Sequence, residues 1–249
     1  MHKVLQGCGV DTHAVTLPGH GTQPTDLLGV TAEDWLETVS QAYRKLLPQY
    51  ETLHIMGMCM GALLAIETAK RERHTKGCLV ALAPPVFFDG WSTPWYRWAR
   101  HIVYRFGAVA TRMRVVEESP FGVKNELVRR IIQSKFKRGD PFHYQWVPLQ
   151  CIRQVDRLRD YVKKGLDQIT CPSMIVHARE DELTSLKSAY YLQDEMKAAR
   201  PEVVVLEDSY HMICVDNDRD LVAASVARHL DLDTRAIQKK RRDGSVRLM

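Results

Sequence analysis

An α/β fold, with a mostly parallel sheet and helices on both of its faces, is what the sequence predicts, and three observations carry that reading. Short apolar runs alternate with stretches of helical periodicity on both sides of the chain's middle. The apolar runs are near-continuous, as expected of strands buried on both faces. The 249 residues suffice for one domain with an insertion and for a sizeable core.

In order, the periodicities predict strand 12–17, helix 31–47, strand 52–58, helix 60–73 and strand 77–83. The alternation resumes with strand 173–178, helix 185–199 (broken by Pro201), strand 203–207 and helix 217–230. Between Pro84-Pro85 and Cys171-Pro172 lies a segment with no clear strand. Helical stretches near 92–110, 123–137 and 149–164 carry Trp91, Trp95, Tyr96, Trp98, Tyr104 and Phe106, then Phe121, Phe136, Phe142, Tyr144 and Trp146. This predicts a core of residues 1–85 and 171–233, a helical cap of residues 86–170, and a polar tail of residues 234–249. The tail's Lys239-Lys240-Arg241-Arg242 run reads as a solvated end. Arg97, Arg100, Arg105, Arg112 and Arg114 in the cap fit an ordinary solvated helix face; a membrane surface or an acidic carrier is the other reading.

Between strand 52–58 and helix 60–73 stands Gly57-Met58-Cys59-Met60-Gly61. A small-x-nucleophile-x-small pentapeptide at a strand-to-helix junction predicts a sharp turn that lifts the central side chain out of the sheet. That side chain then sits at a helix N-terminus, where the dipole favours an anion. Thiolates attack acyl carbon well, and the backbone N–H of Met60 is placed to donate to the resulting oxyanion. The plainer alternative is that Cys59 is a small buried hydrophobe in a glycine-rich turn.

Two further residues complete a pattern. Asp181 follows the apolar run Pro172–Ala178, at a strand's C-terminal end, where open α/β sheets keep their chemistry. His211 follows the run Glu202–Leu206. Singly, these are a turn carboxylate and a loop histidine. Together they give the order nucleophile, acid, histidine, each just after a strand. His211 is expected to take the Cys59 proton, or to hold it as a thiolate–imidazolium pair, and later to protonate the leaving group, with Asp181 orienting the imidazole. Glu180 and Glu182 are rival carboxylates; Asp181 is preferred for its shorter side chain.

With these segments the chain resembles the α/β-hydrolase superfamily, in particular its bacterial carboxylesterase and monoacylglycerol-lipase-like group. Leu17-Pro18-Gly19-His20-Gly21-Thr22, Pro24-Thr25-Asp26-Leu27 and Asp34-Trp35-Leu36 resemble the stretch after that group's fourth strand. The Gly57–Gly61 box, His177-Ala178-Arg179-Glu180-Asp181 and Ser209-Tyr210-His211-Met212 match its three catalytic segments. The likeness covers about residues 8–85 and 170–230. It implies an α/β-hydrolase fold, a cap over an acyl pocket, and no metal or organic cofactor. His20 reads either as a wall of the site or as a turn histidine between two glycines.

Two departures stand out. Cysteine replaces the usual serine, as in dienelactone hydrolases and polyhydroxyalkanoate synthases, and a thioester intermediate suits transfer to another acceptor as well as to water. The N-terminal segment Met1–Gly9 resembles only the end of the helix that follows the family's oxyanion strand. The N-terminal strand and its His-Gly oxyanion donor are therefore expected to be missing here, which implies either a truncated chain, with the strand encoded upstream, or a fragment with compromised catalysis.

Composition narrows the function classes. The net charge of +5 is spread along the chain without a nucleic-acid-binding motif. No run approaches the 18 or so apolar residues of a membrane span. The six cysteines, at 8, 59, 78, 151, 171 and 214, have neither disulfide-framework nor metal spacing, which points to a reducing cytoplasm. The expectation is hydrolysis of a small-molecule acyl ester or thioester through Cys59. The alternatives are an acyltransferase using a thioester donor and a catalytically silent acyl-binding relative.

Overall fold

The computed structural model describes residues 1–93, 95–105, 107–138 and 144–232. Helix α1 (His2–Gly7) is followed by a 3-10 turn at Pro24–Leu27 and by α2 (Ala32–Leu46). The α2 start is fixed by a capping box: Asp34 N–H donates to Thr31 Oγ1 at 3.2 Å, and Asp34 Oδ2 accepts from Thr31 N–H at 2.8 Å. Strand β1 (Ile55–Met58), helix α3 (Met60–Arg71) and strand β2 (Leu79–Leu82) then form a β-α-β unit. The insertion runs through a 3-10 turn at Trp95–Ala99, α4 (Arg100–Val103), α5 (Gly107–Arg112), β3 (Arg114–Val116), α6 (Glu126–Arg138), β4 (Trp146–Pro148) and α7 (Leu149–Val162). After a 3-10 turn at Leu166–Gln168 the core resumes with β5 (Ser173–Ala178), α8 (Lys187–Glu195), β6 (Glu202–Leu206) and α9 (Arg219–His229).

Strands β1, β2, β5 and β6 form one parallel sheet in that order, with Ile55 opposite Leu79, Leu79 opposite Ser173, and Met174 opposite Glu202. Successive side chains point to opposite faces. Leu79, Ala81 and Ile175 join α2, α3, α7 and α8 in one core, around Trp35, Leu63, Ile66, Leu158 and Leu192. Val80, Leu82, Met174 and Val176 join α1 and α9 in the other, around Leu5, Ile213, Val222 and Val226. This is the α/β-hydrolase arrangement, a parallel sheet covered on both faces.

Three expectations need correction. Residues 12–17 form no strand. A strand needs a ladder partner, and among the described residues the sheet ends at β1, so this largely exposed stretch is held by side chains instead. Thr12 Oγ1 lies 2.5 Å from His2 Nδ1, and His13 Nε2 lies 2.7 Å from Tyr50 Oη. The insertion does contain strands, an antiparallel ribbon of β3 and β4 in which Val115 faces Val147. The helix expected at 92–110 is broken into shorter pieces. Phe106, Phe142 and the 234–249 tail lie outside the described residues.

The inner face of α7 supplies Val155, Leu158 and Val162 to the same core as α2 and α3. A buried cluster joins it to the start of the insertion. Asp156 accepts from Arg100 Nε at 2.9 Å, from Tyr104 Oη at 2.8 Å and from Arg159 Nη1 at 2.5 Å, while Arg159 Nε donates to Val86 O at 2.8 Å. A cleft of about 420 Å³ beside Lys70, Arg71, Tyr161 and Lys164 lies at the C-terminal end of α3, the end remote from Cys59. Lys70 there is bonded to Glu67 and to two carbonyls, and Arg71 to Glu67 and Glu33.

Candidate active site

Three loops meet at the C-terminal edge of the sheet, after β1, β5 and β6. The first carries Cys59 at φ 54° and ψ −124°, a conformation that costs a non-glycine residue about 1–3 kcal/mol. The turn is held from both sides: Cys59 N–H donates to Leu82 O at 2.9 Å, and Cys59 O accepts from Ala62 N–H at 2.9 Å. The two glycines of the box are not equivalent. A Cβ on Gly57 would stand 1.9 Å from Gly61 O, so only glycine lets the first turn of α3 lie on β1. A Cβ on Gly61 would meet nothing within 4 Å. Met60 N–H, the first of the helix, has no backbone acceptor among the described residues.

Asp181, in the turn after β5, is 3% exposed. Its Oδ2 accepts from His211 Nδ1 at 2.8 Å, and its Oδ1 accepts from the N–H groups of Leu183 and Thr184 at 2.9 and 3.0 Å. Burial pushes its carboxyl up, but the charge and hydrogen bond of His211, helped by His177 and the Thr184 N–H, hold it below the ordinary carboxylate value. The rival acids face elsewhere. Glu180 is paired with Lys124 at 2.9 Å, and buried Glu182 accepts the His211 backbone N–H at 3.1 Å. Burial pushes the Glu182 carboxyl up.

His211 is itself buried. Burial disfavours its charged form, yet Asp181 and Cys59 outweigh that and hold its pKa well above the usual imidazole value. With Nδ1 engaged by Asp181, the free nitrogen is Nε2, which has no acceptor at ordinary hydrogen-bond geometry among the described residues. Cys59 lies near enough to His211 for its charge to help raise the imidazole. The structure brings Cys59, Asp181 and His211 together. His20 instead packs edge-on against Trp35, with Nδ1 3.1 Å from Pro18 O, in a loop that Tyr144 of the insertion grips through Gly19 O and Thr22 N–H. Among the described residues, no group of three or more His, Cys, Asp or Glu side chains is arranged to hold a metal ion.

The family model described as "Serine aminopeptidase, S33" matches residues 1–218. The chain belongs to this α/β-hydrolase family. The thermostable monoacylglycerol lipase of Bacillus sp. (strain H-257) is 26% identical over 208 residues, 83% of this chain and 73% of that one. The carboxylesterase of Bacillus subtilis (strain 168) is 22% identical over 232 residues, 92% of this chain and 84% of that one. Among solved structures, Paleococcus ferrophilus monoacylglycerol lipase superposes with a TM-score of 0.74 at 16% identity, covering 92% of this chain and 87% of that one. A soluble variant of Saccharomyces cerevisiae monoglyceride lipase gives 0.70 at 15% identity, covering 86% and 75%.

Within this hydrolase, sequence reasoning missed the groups that hold the histidine loop. Asp216 is fully buried and accepts four backbone N–H groups: Lys124 and Tyr210 on Oδ2 at 2.7 and 2.8 Å, Asn125 and Asn217 on Oδ1 at 2.8 and 3.0 Å. Met212 N–H donates to Gly122 O at 2.7 Å. The insertion's 120–125 turn and the His211 loop are therefore one hydrogen-bonded unit. Lys124 Nζ adds ion pairs to Glu180 at 2.9 Å and Asp208 at 3.1 Å, bridging the acid and histidine loops. Glu117, just upstream, has an exposed side chain; the protein packed around its carboxyl pushes it up, and the charge of His211 pulls it back.

Proposed function

We propose that this chain hydrolyses carboxylic esters, and thioesters of the same acyl groups, through a covalent Cys59 intermediate. The observation that carries this reading is the linked set of Cys59 on its strained turn, His211 with Nε2 available, and Asp181 on Nδ1. The ester class is supported by the names of the Bacillus relatives, a monoacylglycerol lipase and a carboxylesterase.

In the reaction, the Cys59 proton resides on His211 Nε2, as a thiolate–imidazolium pair or by transfer during the attack, while sulfur bonds to the acyl carbon. The carbonyl π electrons move onto oxygen, which accepts from Met60 N–H. Collapse breaks the acyl C–O bond, and the leaving alkoxide takes the proton from His211. A water, losing its proton to His211, then attacks the thioester; the carboxylic acid departs and Cys59 regains the proton. Asp181 stays ionised and steadies the imidazolium. All six cysteines are free, which suits a reducing compartment such as the cytoplasm. A hydroxyl or amine acceptor in place of water would make the same intermediate an acyl-transfer route.

The test is release of chromophore from a dissolved short-chain nitrophenyl ester. Cys59→Ala and His211→Ala, each shown to be folded, are expected to lose about 1000-fold or more in turnover. Equal rates in Cys59→Ala and the parent would refute the nucleophile assignment.

A further inference from the structure

We propose that Glu182 is a positioning residue: its buried carboxylate holds the backbone of His211 so that the ring is aimed from Asp181 towards Cys59. The proposal rests on the reading above and names a fourth side chain on which that triad depends.

Glutamate is almost never fully buried unless something pairs with it. Glu182 is 7% exposed, and among the described residues no Lys or Arg pairs with it. A residue that only filled this space would be apolar. What offsets the burial of the carboxylate comes from His211. Glu182 Oε2 accepts the His211 backbone N–H at 3.1 Å, and the imidazole charge lies near enough to pull the carboxyl back from where burial pushes it.

Asp181 and Glu182 are consecutive, and they take the same histidine at two points. Asp181 Oδ2 accepts from ring Nδ1 at 2.8 Å, and Glu182 Oε2 accepts from the main chain at 3.1 Å. Either bond alone would leave the other end of the residue free to swing. Together they tie the backbone and limit the side-chain torsions, and so set the direction of Nε2. The turn that carries both acids is itself fixed, because Asp181 Oδ1 accepts from the N–H groups of Leu183 and Thr184 at 2.9 and 3.0 Å.

The clamp is anchored to the insertion. Glu182 O accepts from Ser92 N–H at 3.0 Å and from Ser92 Oγ at 2.8 Å, and Leu183 O accepts from Gly90 N–H at 3.1 Å. The approach is so close that a Cβ on Gly90 would stand 2.2 Å from Glu182 O. On the other side Gly122 covers the carboxylate: a Cβ there would stand 3.2 Å from Glu182 Oε1 and 2.6 Å from Met212 Cγ. Glu182 thus sits where the start of the insertion, the 120–125 turn and the histidine loop meet, and a shift in any of them reaches Nε2 through it. A displacement of about 1 Å in a catalytic group can cost about 100-fold in rate.

The experiment compares Glu182→Gln, which keeps an oxygen acceptor and loses the charge, with Glu182→Met, which keeps the volume and loses both. Each is assayed on a dissolved short-chain nitrophenyl ester at a temperature where circular dichroism shows it folded. The low-field proton NMR signal of the Nδ1–H shared with Asp181 is recorded alongside. Glu182→Gln is expected to keep kcat within about threefold of the parent and to keep the signal. Glu182→Met is expected to lose about 10- to 100-fold in kcat, with KM within about twofold, and to lose the signal. Glu182→Ala takes its place, with the same expectations, if Glu182→Met does not fold. Equal losses in the Gln and Met variants overturn the proposal by assigning the effect to charge. So does an unchanged kcat in Glu182→Met, or a loss there with the parent's signal intact, because the ring would then be where it was. Absence of ester turnover in the parent would remove the ester-hydrolase reading, and the signal alone would then decide. Present in the Gln variant and absent in the Met variant, it upholds the positioning role; the same in all three proteins, it overturns that role.

Discussion

The two glycines of the Cys59 box make opposite predictions for one substitution. In Gly57→Ala the new Cβ falls 1.9 Å from Gly61 O, a backbone atom. Ordinary contact at 3.4 Å or more requires the first turn of α3 and β1 to separate by about 1.5 Å. That turn is fixed by Ala62, Leu63 and Ile66 in a close-packed core, so the strain has no cheap outlet. Overpacking of this kind costs about 1–3 kcal/mol and sometimes more, and a rigid backbone partner places it at the top of that range. In Gly61→Ala the Cβ enters open space in a helical position, and alanine gains about 0.5–1 kcal/mol over glycine. The two variants are therefore expected to differ by about 3–4 kcal/mol, with Gly57→Ala the less stable. Urea unfolding followed by far-ultraviolet circular dichroism measures this. Equal destabilisation by the two substitutions would refute the reasoning, because it would mean that the close approach at Gly57 does not govern the turn.

Asp181→Asn is expected to cut ester turnover about 1000- to 10,000-fold by removing the group that orients the imidazole, with Cys59 acylation as the step to time. The same pair shapes stability against pH. His211, raised in the fold, contributes fully below about pH 6.5 and loses its contribution as pH rises through its folded value; Asp181, depressed in the fold, contributes above about pH 3.8 and loses it as pH falls. Their joint contribution is thus full between about pH 4 and 6.5, and Asp181→Asn is expected to remove it there, as measured by chemical unfolding across pH. His74, bonded to Tyr43 Oη and pulled down to about 4 by burial, acts in the opposite sense: its contribution is present above pH 6.5 and is lost as pH falls towards 4. His74→Gln is expected to flatten the acid limb of the stability profile; an unchanged slope would contradict its neutral burial. Asp216→Asn puts an amide against four N–H donors and is expected to cost about 2–4 kcal/mol. Its turnover should fall even at temperatures where it is fully folded, because the His211 loop loses its tie to the 120–125 turn.

The meeting of Cys59, Asp181 and His211 was legible because each follows an apolar run, and the run's end places it at the sheet's C-terminal edge. The choice among Glu180, Asp181 and Glu182 was legible only as a preference, since it depends on which carboxylate faces a ring 30 residues away. Asp216 carried no local signal: its partners Lys124 and Asn125 are 92 and 91 residues distant, and what they offer is backbone N–H, which every sequence has. The β3–β4 ribbon escaped notice because three-residue strands are too short for a period of two to register. Residues 12–17 misled for the converse reason: they have a strand's composition, but a strand is made by its neighbour.

The most direct measurement of the central claim is intact-protein mass after brief exposure to an activated short-chain acyl ester, comparing the parent with Cys59→Ala. The account predicts an acyl-sized mass gain in the parent and none in Cys59→Ala. No gain in the folded parent, or an equal gain in Cys59→Ala, would contradict it.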